Sequence, residues 1–277
     1  MVRRYRPDSR FSIGLLGAFA ALVRELVEFR SHILMLFSNE FKASYRGTAL
    51  GVVWNLLLPL LPISVYVLLA SLRVFPKFEG IAPAVYIGFN VTLWFLFTGF
   101  INRPIQVVRS RNAEIMKTAM PLSASIASSF AQLCFDSLLR IALVAALMAA
   151  TATIPTLASA ALLLVVLAGS IFFLSIGLLL SILNVIYPDI DRVVTIILQY
   201  GIFLSGVIFP ISSMGPLAVL ETTNPFSVFI QAARDAVFLG TLSHPAALAA
   251  WTGAGLIALL VSARFFYLME YRIRGLA

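Results

Sequence analysis

Residues 158–186 read ASAALLLVVLAGSIFFLSIGLLLSILNVI, a run without one Asp, Glu, Lys or Arg. A helix needs about 20 mainly apolar residues to cross the hydrocarbon core of a bilayer, and this run exceeds that. It is not isolated. The chain has 277 residues, 61% of them hydrophobic and 12% charged, and its mean hydropathy is +0.99. A soluble domain averages about 45–50% apolar and about 25% charged. Water cannot solvate this much apolar surface, so the bilayer is the solvent, and the class is all-α integral membrane.

Working outward from that run, the apolar stretches give six transmembrane helices: about 51–74, 84–101, 122–150, 158–186, 193–209 and 245–267. Pro59 and Pro62 fall in the first and predict a kink, because each removes a backbone donor. Segment 211–242 is semi-apolar and broken at Asn224-Pro225, with Glu221, Arg234 and Asp235 as its charges. It reads as a re-entrant helical hairpin between spans five and six, shielded by protein or lining a wet cavity.

Before the spans, Leu15, Phe19, Leu22, Leu26, Phe29, Ile33 and Leu36 recur at helical spacing, with Arg24, Glu25, Glu28 and Ser31 opposite. That predicts an amphipathic helix lying in the membrane interface. Arg3, Arg4, Arg6 and Arg10 before an apolar stretch imitate a signal peptide. Gly14 and Gly17 interrupt it, however, and the pattern runs on past Ala18-Phe19-Ala20, the apparent cleavage site. The organisation is thus a cytoplasmic N-terminal segment (1–50) and a six-span domain (51–277).

Counting Lys and Arg by side gives sixteen on the side of both termini and the 102–121 loop, against Arg73, Lys77 and Arg234 on the other. The bias places both termini in the cytoplasm. The formal net charge of +8 is therefore assigned to topology and contact with anionic membrane lipids, with no nucleic acid as partner. No internal repeat is visible.

The chemistry of an enzyme is missing. Lys42, Lys77 and Lys117 are the three lysines and none follows a glycine, so no phosphate-cradling loop is present and no ATP site of the chain's own is expected. Cys134 stands alone and His32 and His244 are far apart, so no metal and no catalytic residue is assigned. Asp189 and Asp191 beside Arg192 read as helix caps at a turn. Asp136 and Arg140 share a helix face inside the third span. They read as an intrahelical ion pair, with a proton relay as the alternative.

Four stretches carry a family resemblance. NEFKASYRGTALGVVW at 39–54 with Leu58-Pro59 resembles the entry to the first span of type-2 ABC exporter permeases, in the polysaccharide and polyol-phosphate branch that exports O-antigen, capsule or teichoic acid. NAEIMK at 112–117 with Pro121-Leu122 resembles that branch's cytoplasmic segment before the third span. NVIYPDI at 184–190 resembles the motif before the fifth span, with Pro188 where an Arg is usual. Asn224-Pro225-Phe226 followed by Arg234-Asp235 resembles the re-entrant motif.

The resemblance implies a homodimer in the bacterial cytoplasmic (inner) membrane, coupled to a separate cytoplasmic ABC ATPase that binds ATP and Mg, with no cofactor on this chain. It implies export of a lipid-linked glycan. Arg111, Asn112, Glu114 and Lys117 would form a short ATPase-coupling helix. Aromatic faces stack on sugars without fixed hydroxyl geometry, so Tyr66, Phe89, Trp94, Phe97, Tyr200 and Phe203 are the candidate substrate pathway. The competing readings are an ion- or proton-coupled transporter built on Asp136 and Arg140, and a membrane-embedded glycosyl or lipid transferase built on Asp189 and Asp191.

Overall fold

The computed structural model describes residues 13–45, 47, 51–72, 80–115, 121–213 and 215–275. Arg73, Lys77 and Lys117 lie outside the described residues. The elements are helices α1 (Leu15–Glu28), α2 (Arg30–Tyr45), α3 (Trp54–Ser71), α4 (Pro83–Ile115), α5 (Leu122–Ala150), α6 (Ala161–Ile186), α7 (Ile190–Gly201), α8 (Leu220–Thr223), α9 (Pro225–Phe238) and α10 (Pro245–Gly275). Short 3₁₀ turns join several of them.

Among the described residues, four helices are long and apolar enough to cross a membrane: Pro83–Ser110, Leu122–Ala150, Leu157–Ile186 and Pro245–Glu270. They make this a multi-pass membrane protein. The first of them also packs as the hub. Its apolar part is largely buried inside the protein, and α6 lies against it most closely. At Gly177 of α6 a Cβ would fall 2.3 Å from the Phe100 carbonyl of α4. Only a glycine lets the two backbones approach so far.

Around this contact Phe97, Phe172, Phe173 and Phe229 form an aromatic core, with Phe97 and Phe173 5.0 Å apart between centroids. Phe226 stacks on Phe173 at 4.1 Å. Edge-to-face and offset contacts of this kind add stability beyond the area they bury.

Three boundaries differ from the sequence reading. The second span does not stop at residue 101: α4 runs on to Ile115, with Pro104 inside it. Its polar continuation stays helical because the breaker signals, Pro121 above all, come only later. Arg111, Asn112 and Glu114 thus fall on the last turns of a long helix rather than on a separate short one.

The amphipathic helix is interrupted at Phe29, which joins α1 to α2. Ala18 and Leu22 of α1 are buried against α10 and α5, while Leu16, Val23 and Val27 stay exposed. These exposed apolar side chains are thus not those of the stripe named from the spacing, whose Leu22 packs on the protein.

The fifth apolar run folds as α7, twelve residues, then a 3₁₀ turn at Ile202–Leu204. Twelve residues rise about 18 Å, short of the ~30 Å hydrocarbon core. Gly206 then turns the chain with φ +65°, a conformation an L side chain resists. Downstream, α8 and α9 meet at Asn224, the break that the sequence reading placed there.

Candidate transport site

A cleft of about 380 Å³ opens between α3, α4 and α7. Tyr66, Val91, Trp94, Phe95, Leu198, Gln199, Tyr200, Ile202 and Phe203 line it. Four of the six aromatics proposed from sequence, Tyr66, Trp94, Tyr200 and Phe203, therefore converge. Phe97 does not: it is fully buried in the aromatic core. Phe89 does not either: it packs edge-on against Phe238 at 5.2 Å and lines a separate apolar cavity between α4, α5 and α6. Abundant aromatics alone carry no signal separating core from cleft.

Below the cleft a polar network fixes the chain reversal after α7. Asn90 of α4 donates from Nδ2 to the carbonyls of Gly206 and Val207 at 3.2 and 3.1 Å. The Tyr86 hydroxyl donates to the Gly206 carbonyl at 3.2 Å and accepts from Arg234 Nη1 at 2.8 Å. Arg234 Nε donates to Asp235 Oδ1 at 2.7 Å, and both side chains are almost fully buried. The Ser243 hydroxyl binds the other Asp235 oxygen. Irregular backbone inside a membrane protein needs such internal partners.

Asn224 does two jobs at the same place. Its Oδ1 accepts from the Phe226 amide at 3.0 Å, capping α9, with Pro225 in the first helical position. Its Nδ2 donates to the Leu204 carbonyl at 2.9 Å and to the Ser205 hydroxyl at 3.1 Å. Asn-Pro is thus a cap and a tie.

Asp136 and Arg140 sit one turn apart on α5, but Asp136 takes its cation from another helix. Arg103 Nη2 of α4 lies 3.4 Å from Asp136 Oδ2, and Gln132 Nε2 donates to Oδ1 at 3.0 Å. Arg140 instead places its guanidinium over the Phe95 ring, 4.8 Å from the centroid. The direct ion pair is interhelical, because the packing of α4 on α5 brings Arg103 to Asp136, while Arg140 still feels the Asp136 charge from one turn along its own helix. A carboxylate held against a guanidinium that stays charged makes a poor proton relay.

At the other end of the molecule α5 is anchored at its start. Glu270 of α10, almost fully buried, accepts from the Leu122 amide at 2.6 Å. The Ser123 hydroxyl donates to Glu25 of α1 at 3.1 Å. The turn before α7 is not capped by Asp189 or Asp191, as the sequence suggested. Asn184 Oδ1 accepts the Asp191 amide at 3.1 Å, which frees Asp191 to meet Arg109 of α4 at 2.5 Å. Asp189 faces Arg192 at 3.4 Å.

Comparison with known proteins is then decisive. The model of the ABC-2 type transporter family matches residues 31–238, well over half of the chain. The chain belongs to this family.

The O-antigen export system permease protein RfbA of Myxococcus xanthus is 26% identical to it over 220 residues, spanning 78% of this chain and 84% of that one. As a member of that family, the chain is a membrane subunit of a transporter. The matched region runs from α2 to the end of α9, so it takes in the aromatic cleft, the Arg234 network and the last turns of α4. Helix α1 and the Glu270 anchor on α10 lie outside it.

Sequence reasoning passed over Tyr86, Asn90 and Glu270, counted Arg103 only toward the charge bias, and met Asn184 only as the first residue of the motif at 184–190. Tyr86 and Asn90 carried a usable signal, being polar side chains four apart in an apolar run. Glu270 carried none, since its partner is a backbone amide 148 positions away.

Proposed function

We propose that this chain is the membrane half of an ATP-driven exporter that moves a lipid-linked polysaccharide across the bacterial cytoplasmic membrane. The carrying observation is the cleft, where Tyr66, Trp94, Tyr200 and Phe203 gather with Gln199 as the polar group. Aromatic walls with few fixed polar partners suit a repetitive sugar chain that must slide. Family membership and the name of the M. xanthus relative support the same reading.

The full plan has six crossings, with α3 and the α7 region added to the four long spans. Segment 211–242 is a re-entrant hairpin and both termini are cytoplasmic. The subunit works as a homodimer. Leu61, Val65 and Leu68 of α3 and Val193, Ile196 and Ile197 of α7 are exposed apolar side chains flanking the cleft. A second copy seated there would close the pathway between two such faces.

A cytoplasmic ABC ATPase binds ATP and Mg and docks at residues 111–117, the end of α4 and the segment after it, through Arg111, Asn112, Glu114 and Lys117. Lipid anchoring of these basic residues has no use for Glu114, so Glu114→Arg separates the two roles. Docking predicts normal insertion and dimerisation with loss of ATPase co-purification and of export. Full ATPase complement and full export by Glu114→Arg would refute the docking role.

A further inference from the structure

We propose that the apolar cavity between α4, α5 and α6 is a slot for one acyl chain of a membrane glycerophospholipid, on the side of α4 away from the aromatic cleft. The site does not depend on the exporter reading; it needs only a chain that lies in a bilayer.

The slot exists because two helices share a neighbour without meeting. Both α5 and α6 pack along α4, and they scarcely touch each other. The gap between them holds about 530 Å³. Phe89, Leu93 and Leu96 of α4 form its back, with Val144 of α5 on one side and Leu162 and Val166 of α6 on the other. Along α5 the lining runs from Ser137 to Ala149, a rise of about 18 Å. That exceeds half of the ~30 Å hydrocarbon core, the depth that the chains of one leaflet fill. Ile141 lines the slot and is 53% exposed, so the slot opens sideways to the lipid.

The lining suits hydrocarbon. Two of its hydroxyls are engaged by their own helices: Thr92 donates to the Gly88 carbonyl and Ser137 to the Leu133 carbonyl, both at 2.8 Å. A buried water needs two to four polar partners, and the walls beside these residues are aliphatic and aromatic. An empty space of this size would leave its lining without dispersion contacts on one side. Hydrocarbon chains stand at the opening, and one of them restores those contacts.

Free polar groups gather at one end. Thr153 and Ser159 line the slot where the chain passes from α5 to α6. This mouth is held in place by α9: the Thr156 amide donates to the Val237 carbonyl at 2.8 Å and its hydroxyl to the Ala236 carbonyl at 2.7 Å. Hydroxyls at the mouth suit the ester carbonyls of a glycerophospholipid, which accept hydrogen bonds. A lipid whose chain ends directly in phosphate calls for Arg or Lys there. The sequence has no Asp, Glu, Lys or Arg between Ile141 and Pro188, and among the described residues no charged side chain lines the slot.

Position gives the site its consequence. Phe89, Leu93 and Leu96 of α4 face the slot, while Val91, Trp94 and Phe95 face the cleft on the opposite side of the same helix. A chain in the slot therefore braces the hub helix from behind.

The test places the full-length chain in phosphatidylcholine nanodiscs containing a phosphatidylcholine with a diazirine on one acyl chain. Light should attach the probe to Leu93 and Leu96, which are buried and out of reach of lipid on the outer surface; mass spectrometry locates the adducts. Adducts confined to the outward Leu138, Leu163 and Leu164 would overturn the proposal, and this map of the wild type needs no variant to fold. Ala145→Phe puts a ring into the slot from its α5 side. It should cut labelling of Leu93 at least fivefold and leave Leu163 unchanged; labelling of Leu93 within twofold of wild type in the folded variant would contradict the site. Loss of the Leu93 adduct on adding a small fraction of undecaprenyl phosphate would assign the slot to an isoprenoid chain and equally overturn the phospholipid.

Discussion

A single side chain can hold a reversal of the chain inside a membrane, and Asn224 is that residue here. It caps α9 through Phe226 and ties α9 to the end of α7 through Leu204 and Ser205. Removing a cap costs about 0.5–2 kcal/mol, and here two further hydrogen bonds go with it. Asn224→Ala should therefore lower the melting temperature of the detergent-purified protein by several degrees, and Asn224→Asp, which keeps the cap but not the tie, by less. Equal melting of all three would show that the ties carry no weight. Asp136 gives a second prediction at this scale. Asp136→Ala leaves Arg103 without its carboxylate, so Arg103→Ala in the same chain should restore part of the lost expression. Arg140→Ala should not. Restoration by Arg140→Ala instead would return the carboxylate to the intrahelical pair. That pair was the natural reading of spacing alone, since i and i+4 are the neighbours a sequence displays. Arg103 lies 33 positions away, and only the packing of α4 on α5 brings it in. The Asn-Pro break at Asn224 was legible because proline and a capping residue act locally.

Among the elements, α5 is the one whose start is pinned from two sides. Glu270 receives its first amide and Glu25 binds Ser123, just after the segment proposed to meet the ATPase. A start fixed to α10 and α1 would pass a push on that segment into the membrane helices instead of dissipating it in a loose turn. Glu270→Gln keeps an acceptor oxygen and should retain export. Glu270→Ala should leave the assembled complex hydrolysing ATP with export reduced severalfold. Loss of ATPase binding along with export would mark the anchor as merely structural. The apolar runs made α5 and α6 legible almost to the residue, because uninterrupted hydrophobicity has one meaning at that length. The continuation of α4 to Ile115 was hidden by its polar composition, although helical geometry does not require an apolar sequence. The shortness of α7 was hidden for the opposite reason. Residues 193–209 are apolar enough to span, and only Gly206 and its carbonyl ties to Asn90 and Tyr86 turn the chain early.

For the whole molecule, an aromatic cleft on one side of the hub helix, a fixed chain reversal beside it and an anchored helix start add up to a transport subunit. Two further residues proposed for the path, Phe89 and Phe97, went instead to the packing of the hub, which consumes aromatics as readily as a pathway does. Membership of the ABC-2 type family supports the proposal that a second chain supplies the energy. The most direct test is transport itself. The chain and the proposed partner ATPase are reconstituted in proteoliposomes with a fluorescent lipid-linked glycan, and its transfer across the bilayer is followed with and without ATP. The account predicts transfer only with both proteins and ATP, unaffected by collapsing the proton gradient. Transfer by this chain alone, driven by a proton gradient without ATP, would contradict it.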